Sequence, residues 1–207
     1  MLFFGHIGIT LGVAKACDTS LSTASRESTK RSGADSKPAG AASGQPSGFH
    51  HWLREGRRRL GAFDYRLVIL GSLLPDLIDK PIFLLSGHAS LSGRDYAHSL
   101  LLNLVLIAGG LVLTRHRKSW LLVLSFSSFM HLIFDRMWTV PVTLLWPLLG
   151  PLLPGDRNAF ATEVFYGLFA PINFIPEIIG LTILIVFAVR AMKKKAITSF
   201  IKEGILD

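Results

Sequence analysis

The feature that most constrains this chain is where its apolar residues fall. They collect in runs over Arg66 to Leu85, Ala97 to Thr114, Ser119 to Trp138 and Pro171 to Ala191. A helix needs about 20 residues to cross the hydrocarbon of a bilayer. Only helices and closed barrels satisfy their backbone polar groups in lipid. The sequence holds no internal repeat and no period-2 pattern long enough for a barrel. The expected fold is therefore all-α: a polytopic membrane helical bundle of about five spanning or half-spanning helices.

Composition agrees. The chain is 50% hydrophobic and 17% charged, against about 25% charged in soluble domains. Its mean hydropathy is +0.44. The length of 207 residues leaves room for one compact unit. A single cysteine, Cys17, excludes an internal disulfide framework and any multi-cysteine metal site.

The chain divides by composition. Residues 1–17 are apolar and short. Ala14-Lys15-Ala16 loosely resembles a signal-cleavage site, but there is no basic n-region and His6 interrupts the apolar stretch. This segment is expected to be an N-terminal membrane helix. Residues 18–48 are rich in Ser, Ala, Gly and basic side chains. They carry too little apolar surface to offset ordering entropy and are expected to be a disordered linker. Residues 49–65, with His50, His51, Trp52 and Arg57-Arg58-Arg59, read as a basic interfacial segment on lipid headgroups. Residues 66–191 form the helical membrane core, and 192–207 a basic tail. Within the core, the proline-rich stretch Thr139 to Ala170 reads as re-entrant or surface-lying.

The net charge of +8 and pI near 10.0 report orientation more than partners. Basic residues cluster before Arg66, over Arg115 to Lys118 and after Arg190. Short basic loops stay on the cytoplasmic side. All clusters then fall on one side, with the N-terminus outside and the C-terminus cytoplasmic, in the plasma (inner) membrane. The expected partners are membrane lipids and a lipid-like substrate. No aromatic-basic motif suggests nucleic acid.

The ionisable residues within the apolar runs carry the chemistry. At about 1.5 Å per helical residue, His6, Asp76, Asp79, His98, His131 and Asp135 all lie in the outer half of the membrane or at its rim. The topology rests on Lys and Arg alone, so this shared depth is independent of it. His131 and Asp135 are spaced i, i+4 and share a helix face. Asp76 and Asp79 follow Pro75 at i, i+3. Unpaired charge in hydrocarbon costs several kcal/mol. Clustered His and Asp without an Arg for each suggests that a cation holds them. Imidazole with carboxylate suits zinc first, with manganese or iron as alternatives.

Plainer readings apply to each residue alone. His131 and Asp135 could be a simple hydrogen-bonded pair, and Asp76 an N-cap. His88 is a reserve ligand in the outer loop. Glu177, after Pro176, either caps a helix or faces the site.

The order Gly5-His6, Leu73-Leu74-Pro75-Asp76, Ala97-His98-Ser99-Leu100, His131-x-x-x-Asp135 and Leu144-Leu145-Trp146-Pro147 resembles the YdjM-like family of bacterial membrane-bound, metal-dependent hydrolases. The resemblance covers nearly the whole chain apart from Asp18 to Gly61. It implies His6, Asp76, His98, His131 and Asp135 as metal-site positions. Two departures stand out. The second Asp comes at i+3 (Asp79), where the family pattern puts it at i+2. Gly93 precedes Arg94 where the family carries His. The second departure weakens the case for a second metal, or leaves His88 to substitute. Arg94 matches, and its planar fork suits phosphate.

The leading expectation is a zinc-dependent enzyme in which a metal-activated water attacks a phosphoester or ester at the outer headgroup level. Asp79 would serve as a further ligand or general base, and Arg94 would orient substrate. One alternative is a proton- or metal-coupled transporter, since intramembrane His and Asp also line such paths. The span Ala97 to Thr114 argues against it, being apolar beyond Ser99 and Asn103. Another is a non-catalytic membrane protein with a structural metal clip and a partner-recruiting linker.

Overall fold

The structure, a computed structural model, describes residues 3–34, 64–85, 91–156, 162, 165–167, 169–193 and 196–204. Every regular element among them is helical. In chain order these are α1 (Phe3–Ala34), α2 (Tyr65–Leu85), α3 (Leu100–Arg115), α4 (Trp120–Phe134), a 3-10 turn (Met137–Thr139), α5 (Pro141–Leu144), α6 (Pro171–Lys193) and α7 (Ile197–Glu203). Of these, α6 alone is long and apolar enough to cross a membrane by length and composition. The apolar helices α3 and α4 are shorter, at 16 and 15 residues. At 21 residues, α2 is long enough, but it carries Arg66, Asp76, Asp79 and Lys80.

The five main helices alternate in direction. The hairpin of α3 and α4 is closed by His116 and by Arg117, whose φ is +58°. α1 packs on α6 and α2, and α4 packs on α2 and α3. Glycines set how close these helices come. A Cβ on Gly8 would strike the backbone of Gly180, and one on Gly71 the carbonyl of Leu124. Small residues at such crossings let backbones meet where side-chain burial adds little between apolar surfaces. The lower core is Ile7, Leu11, Ala14, Tyr65, Val68 and Val123.

One end of the bundle gathers the first turn of α1, the later turns of α2, the start of α3, the end of α4 and the start of α6. The other end holds Arg115 to Lys118, Arg190 and the α7 tail. There Arg66 Nη1 donates to the carbonyls of Ile201 (2.8 Å) and Lys202 (3.2 Å), capping α7 against the start of α2. The same guanidinium holds the Asp64 carboxyl below its ordinary pKa.

One expectation is corrected. α1 does not stop at Cys17 but runs through Asp18 to Ala34, within the stretch expected to be disordered. Once the packed turns of α1 have nucleated the helix, each further residue adds a hydrogen bond at little cost. Thr19 and Thr23 hydroxyls also donate to the carbonyls of Lys15 (2.8 Å) and Thr19 (3.0 Å) along this stretch. The rest of the linker, the basic segment 49–63 and His88 lie outside the described residues.

Candidate metal centre

The site is built from three helix ends and the middle of α2. Ser99 caps α3: its side chain accepts from Leu102 N at 3.3 Å. This leaves His98 in the turn just before the helix rather than within it. His131 lies in the last turn of α4, and Asp135 is the C-cap residue that follows. Asp76 follows Pro75 within α2, and His6 sits in the first turns of α1. His6, His98 and His131 are all fully buried.

The structure brings the five residues together. His98 Nε2 and His131 Nε2 lie 3.3 Å apart. Asp76 Oδ1 is 3.6 Å from His98 Nε2 and 3.8 Å from His131 Nε2. Asp135 Oδ2 is 4.0 Å and 3.9 Å from the same two nitrogens. His6 Nε2 is 2.9 Å from Asp135 Oδ1, and its ring stacks on His131 with centroids 4.0 Å apart. Two groups with metal-ligand spacing result: His6, His131 and Asp135, and Asp76, His98 and His131.

The far side of each imidazole fixes its tautomer. His131 Nδ1 is 2.7 Å from the Ser72 carbonyl, which can only accept, so that nitrogen carries the proton. His98 Nδ1 is 2.7 Å from Asp79 Oδ2 and donates in the same way. In the neutral form of both rings, the Nε2 atoms are lone pairs facing each other across 3.3 Å. Two such acceptors repel at that distance. A cation between them turns the contact into attraction, and a zinc–nitrogen bond of about 2.0–2.1 Å fits such a separation. The donor set therefore fits a divalent metal.

Asp79 is placed differently from the other acids. It is 0% exposed. Its Oδ2 accepts from the backbone N–H of Asp95 (2.8 Å), Ala97 (3.0 Å) and His98 (3.2 Å), besides His98 Nδ1, and its Oδ1 accepts from Ala97 N (3.0 Å). The carboxylate is turned to the loop and to the back of His98. A carboxylate behind a ligating His fixes its ring and raises its basicity.

Basic partners are nearer than the sequence suggested. Lys80 Nζ is 2.6 Å from Asp76 Oδ2, one helical turn away. Arg94 Nε is 3.2 Å from Asp135 Oδ2. The expectation of no Arg for each acid is thus corrected for Asp135, and Asp76 has a lysine instead. Asp76 still keeps Oδ1 towards the imidazoles while Oδ2 meets Lys80.

Two supporting residues, Asp95 and Asn103, were given no role in the sequence, and a third, Glu177, was left between two. Asp95 is buried and accepts from Ser92 N (3.0 Å) and Gly93 N (3.0 Å), shaping the turn that carries Arg94. Burial pushes its carboxyl pKa up. Gly93 has φ +79°, a conformation that glycine takes at no steric cost. Asn103 donates to the carbonyls of Ala97 (3.2 Å) and Ser99 (3.0 Å) and accepts from Ser128 Oγ (2.8 Å), tying the His98 turn to α4. Glu177 Oε2 accepts from Phe4 N (2.8 Å) across α1 and α6. Of the two readings open for Glu177, this contact is the cap.

A family model described as YdjM inner membrane protein matches residues 1–201. No curated protein and no solved structure matches the chain.

Proposed function

The chain belongs to the YdjM inner membrane protein family, and on that premise we propose that it is a metal-dependent hydrolase acting on a phosphoester or ester of a lipid-like substrate. The observation that carries this reading is the facing pair of imidazole Nε2 atoms, each with its other nitrogen committed to an acceptor. His98, His131, Asp76 and Asp135 would hold the ion, with His6 closing the set from α1. Both candidate groups contain His131. Its Nδ1 is taken by Ser72, so its one remaining nitrogen serves one metal, and the groups describe a single ligand sphere. Zinc is the first choice, with manganese or iron compatible with the same donors.

When bound, the metal supplies Lewis acidity, polarising an ester oxygen and acidifying water. The chain's own groups do the rest. Asp79 holds the His98 ring and the 95–98 turn, a positioning role in place of the further-ligand or general-base role expected from sequence. Lys80 keeps the second oxygen of Asp76 occupied and so turns the first towards the site. Arg94 stands beside Asp135, half exposed, and can meet an anionic oxygen of the substrate while orienting the carboxylate.

Among the described residues, the basic cluster Arg115 to Lys118 and Arg190 lie at the bundle end away from this site. Basic loops favour the cytoplasmic side, which supports a reading with the site at the outer headgroup level, the N-terminus outside and the C-terminus inside. The test of the activity is turnover of lipid phosphoesters and esters by the purified protein, wild type against His131→Ala. Parallel loss of turnover and metal supports the reading. Turnover that survives loss of the metal contradicts it.

A further inference from the structure

A cavity of about 500 Å³ opens beside the metal centre. Asp135 and Arg94 line it on the site side. Arg136, Trp138 and Thr139 line it from the turn after α4, with Ile133, Phe134, Ile172, Asn173 and Pro176 around them. Arg136 follows the ligand Asp135 directly and sits in the left-handed region, at φ +54°. Its backbone is locked there: its carbonyl accepts from Thr139 N (2.8 Å) and Thr139 Oγ1 (2.9 Å). Its side chain is exposed and makes no hydrogen bond or ion pair among the described residues.

The two arginines point to a ligand. Asp76, Asp79, Asp95, Asp135 and Glu177 stand against Lys80, Arg94 and Arg136 in this region. A divalent ion balances those formal charges, so Arg136 is left to meet an anion from outside. Two arginines on one cavity, one of them without a carboxylate of its own, suit a tetrahedral, multidentate anion such as phosphate, whose oxygens the planar guanidinium forks can grip in pairs. The apolar part of the lining, Ile133, Phe134, Trp138 and Ile172, suits a hydrocarbon chain.

We propose that this cavity is the substrate-docking site and takes a phosphate-bearing amphiphile, with Arg136 as an anion-binding residue that sets specificity alongside Arg94. The proposal builds on the hydrolase reading, but it concerns binding and is testable without turnover. Free phosphate shares the headgroup chemistry and lacks the chain, so the two sources separate by the contribution of the apolar lining.

The experiment is equilibrium binding to the zinc-loaded, detergent-solubilised full chain. The probes are octylphosphonate, whose carbon–phosphorus bond is not hydrolysed, methylphosphonate, and octyl glucoside. Octylphosphonate is expected to bind most tightly. A hydrogen bond to a charged group contributes about 1.5–3 kcal/mol, so Arg136→Gln should weaken octylphosphonate roughly tenfold or more. Metal content and octyl glucoside binding should be unchanged. Arg117→Gln is the matched control: Arg117 has the same left-handed backbone, φ +58°, at the other end of the bundle. It should change nothing. Should Arg136→Gln lose metal, Ile172→Glu decides, since it places a carboxylate in the cavity from α6 and should abolish octylphosphonate binding. The proposal is overturned if the deciding variant binds octylphosphonate like wild type, if Arg117→Gln loses as much, or if methylphosphonate binds as tightly. Binding with this pattern but no ester turnover would leave the docking site standing and remove the hydrolase reading.

Discussion

His98 Nε2 faces His131 Nε2 at 3.3 Å, and the other nitrogen of each ring is committed to an acceptor. The arrangement is held from behind by an Asp79 carboxylate on one ring and the Ser72 carbonyl on the other. It is a geometry that favours a cation and penalises its loss. A ligand that binds the folded chain alone stabilises it by mass action. Chelation should therefore lower the thermal midpoint of the wild-type protein, and addition of zinc should restore it. The same treatment should leave His98→Ala or His131→Ala unmoved. Differential scanning fluorimetry in detergent reads this directly.

Asp79 separates positioning from proton transfer. Replacing it by Asn removes the charge behind His98 while leaving every proposed ligand in place. Loss of such a partner weakens metal affinity about 10–100-fold. A competition titration with a zinc chelator measures it. A general base would lower turnover at unchanged metal affinity, and that outcome would return Asp79 to its sequence-based role.

Glu177 ties the first turn of α1 to α6 through Phe4 N. A carboxylate at a helix N-terminus stabilises it by about 1 kcal/mol. Glu177→Gln should lower stability by that order and loosen His6, which shares α1. Gly180→Leu is the harsher change, because its side chain has no room against the backbone of Phe4 and Gly5. It should unseat α1 and reduce metal retention together, read as thermal midpoint and zinc content.

The proposed topology has its own test. In a Cys17→Ser background, cysteine is introduced at exposed Leu148 near the site end or at exposed Arg117 at the opposite end. An impermeant thiol reagent added to the outside should label the first, and the second only after permeabilisation. The reverse pattern would invert the bundle.

Much of the site was legible in the sequence for one physical reason. Charge within an apolar run is costly, so Asp76, Asp79, His131 and Asp135 stood out against their surroundings, and the motif order led to the family whose model matches the chain. Asp95 did not stand out. It lies in a polar loop, where an aspartate is ordinary, and only the folded chain shows that it is buried. The Arg94–Asp135 pair joins two segments 41 positions apart, which no local spacing reveals. The Lys80–Asp76 pair follows the i, i+4 rule and was within reach of spacing alone. The α1 extension was missed because composition measures burial, and the side chains from Asp18 to Thr23 are exposed or half-buried on a helix all the same.

The most direct measurement of the central claim is elemental analysis of the purified protein, wild type beside His131→Ala. One divalent metal per chain in the wild type, and near none in the variant at equal folding, is the predicted result. A wild type without stoichiometric metal, or a variant that keeps it, would contradict the account.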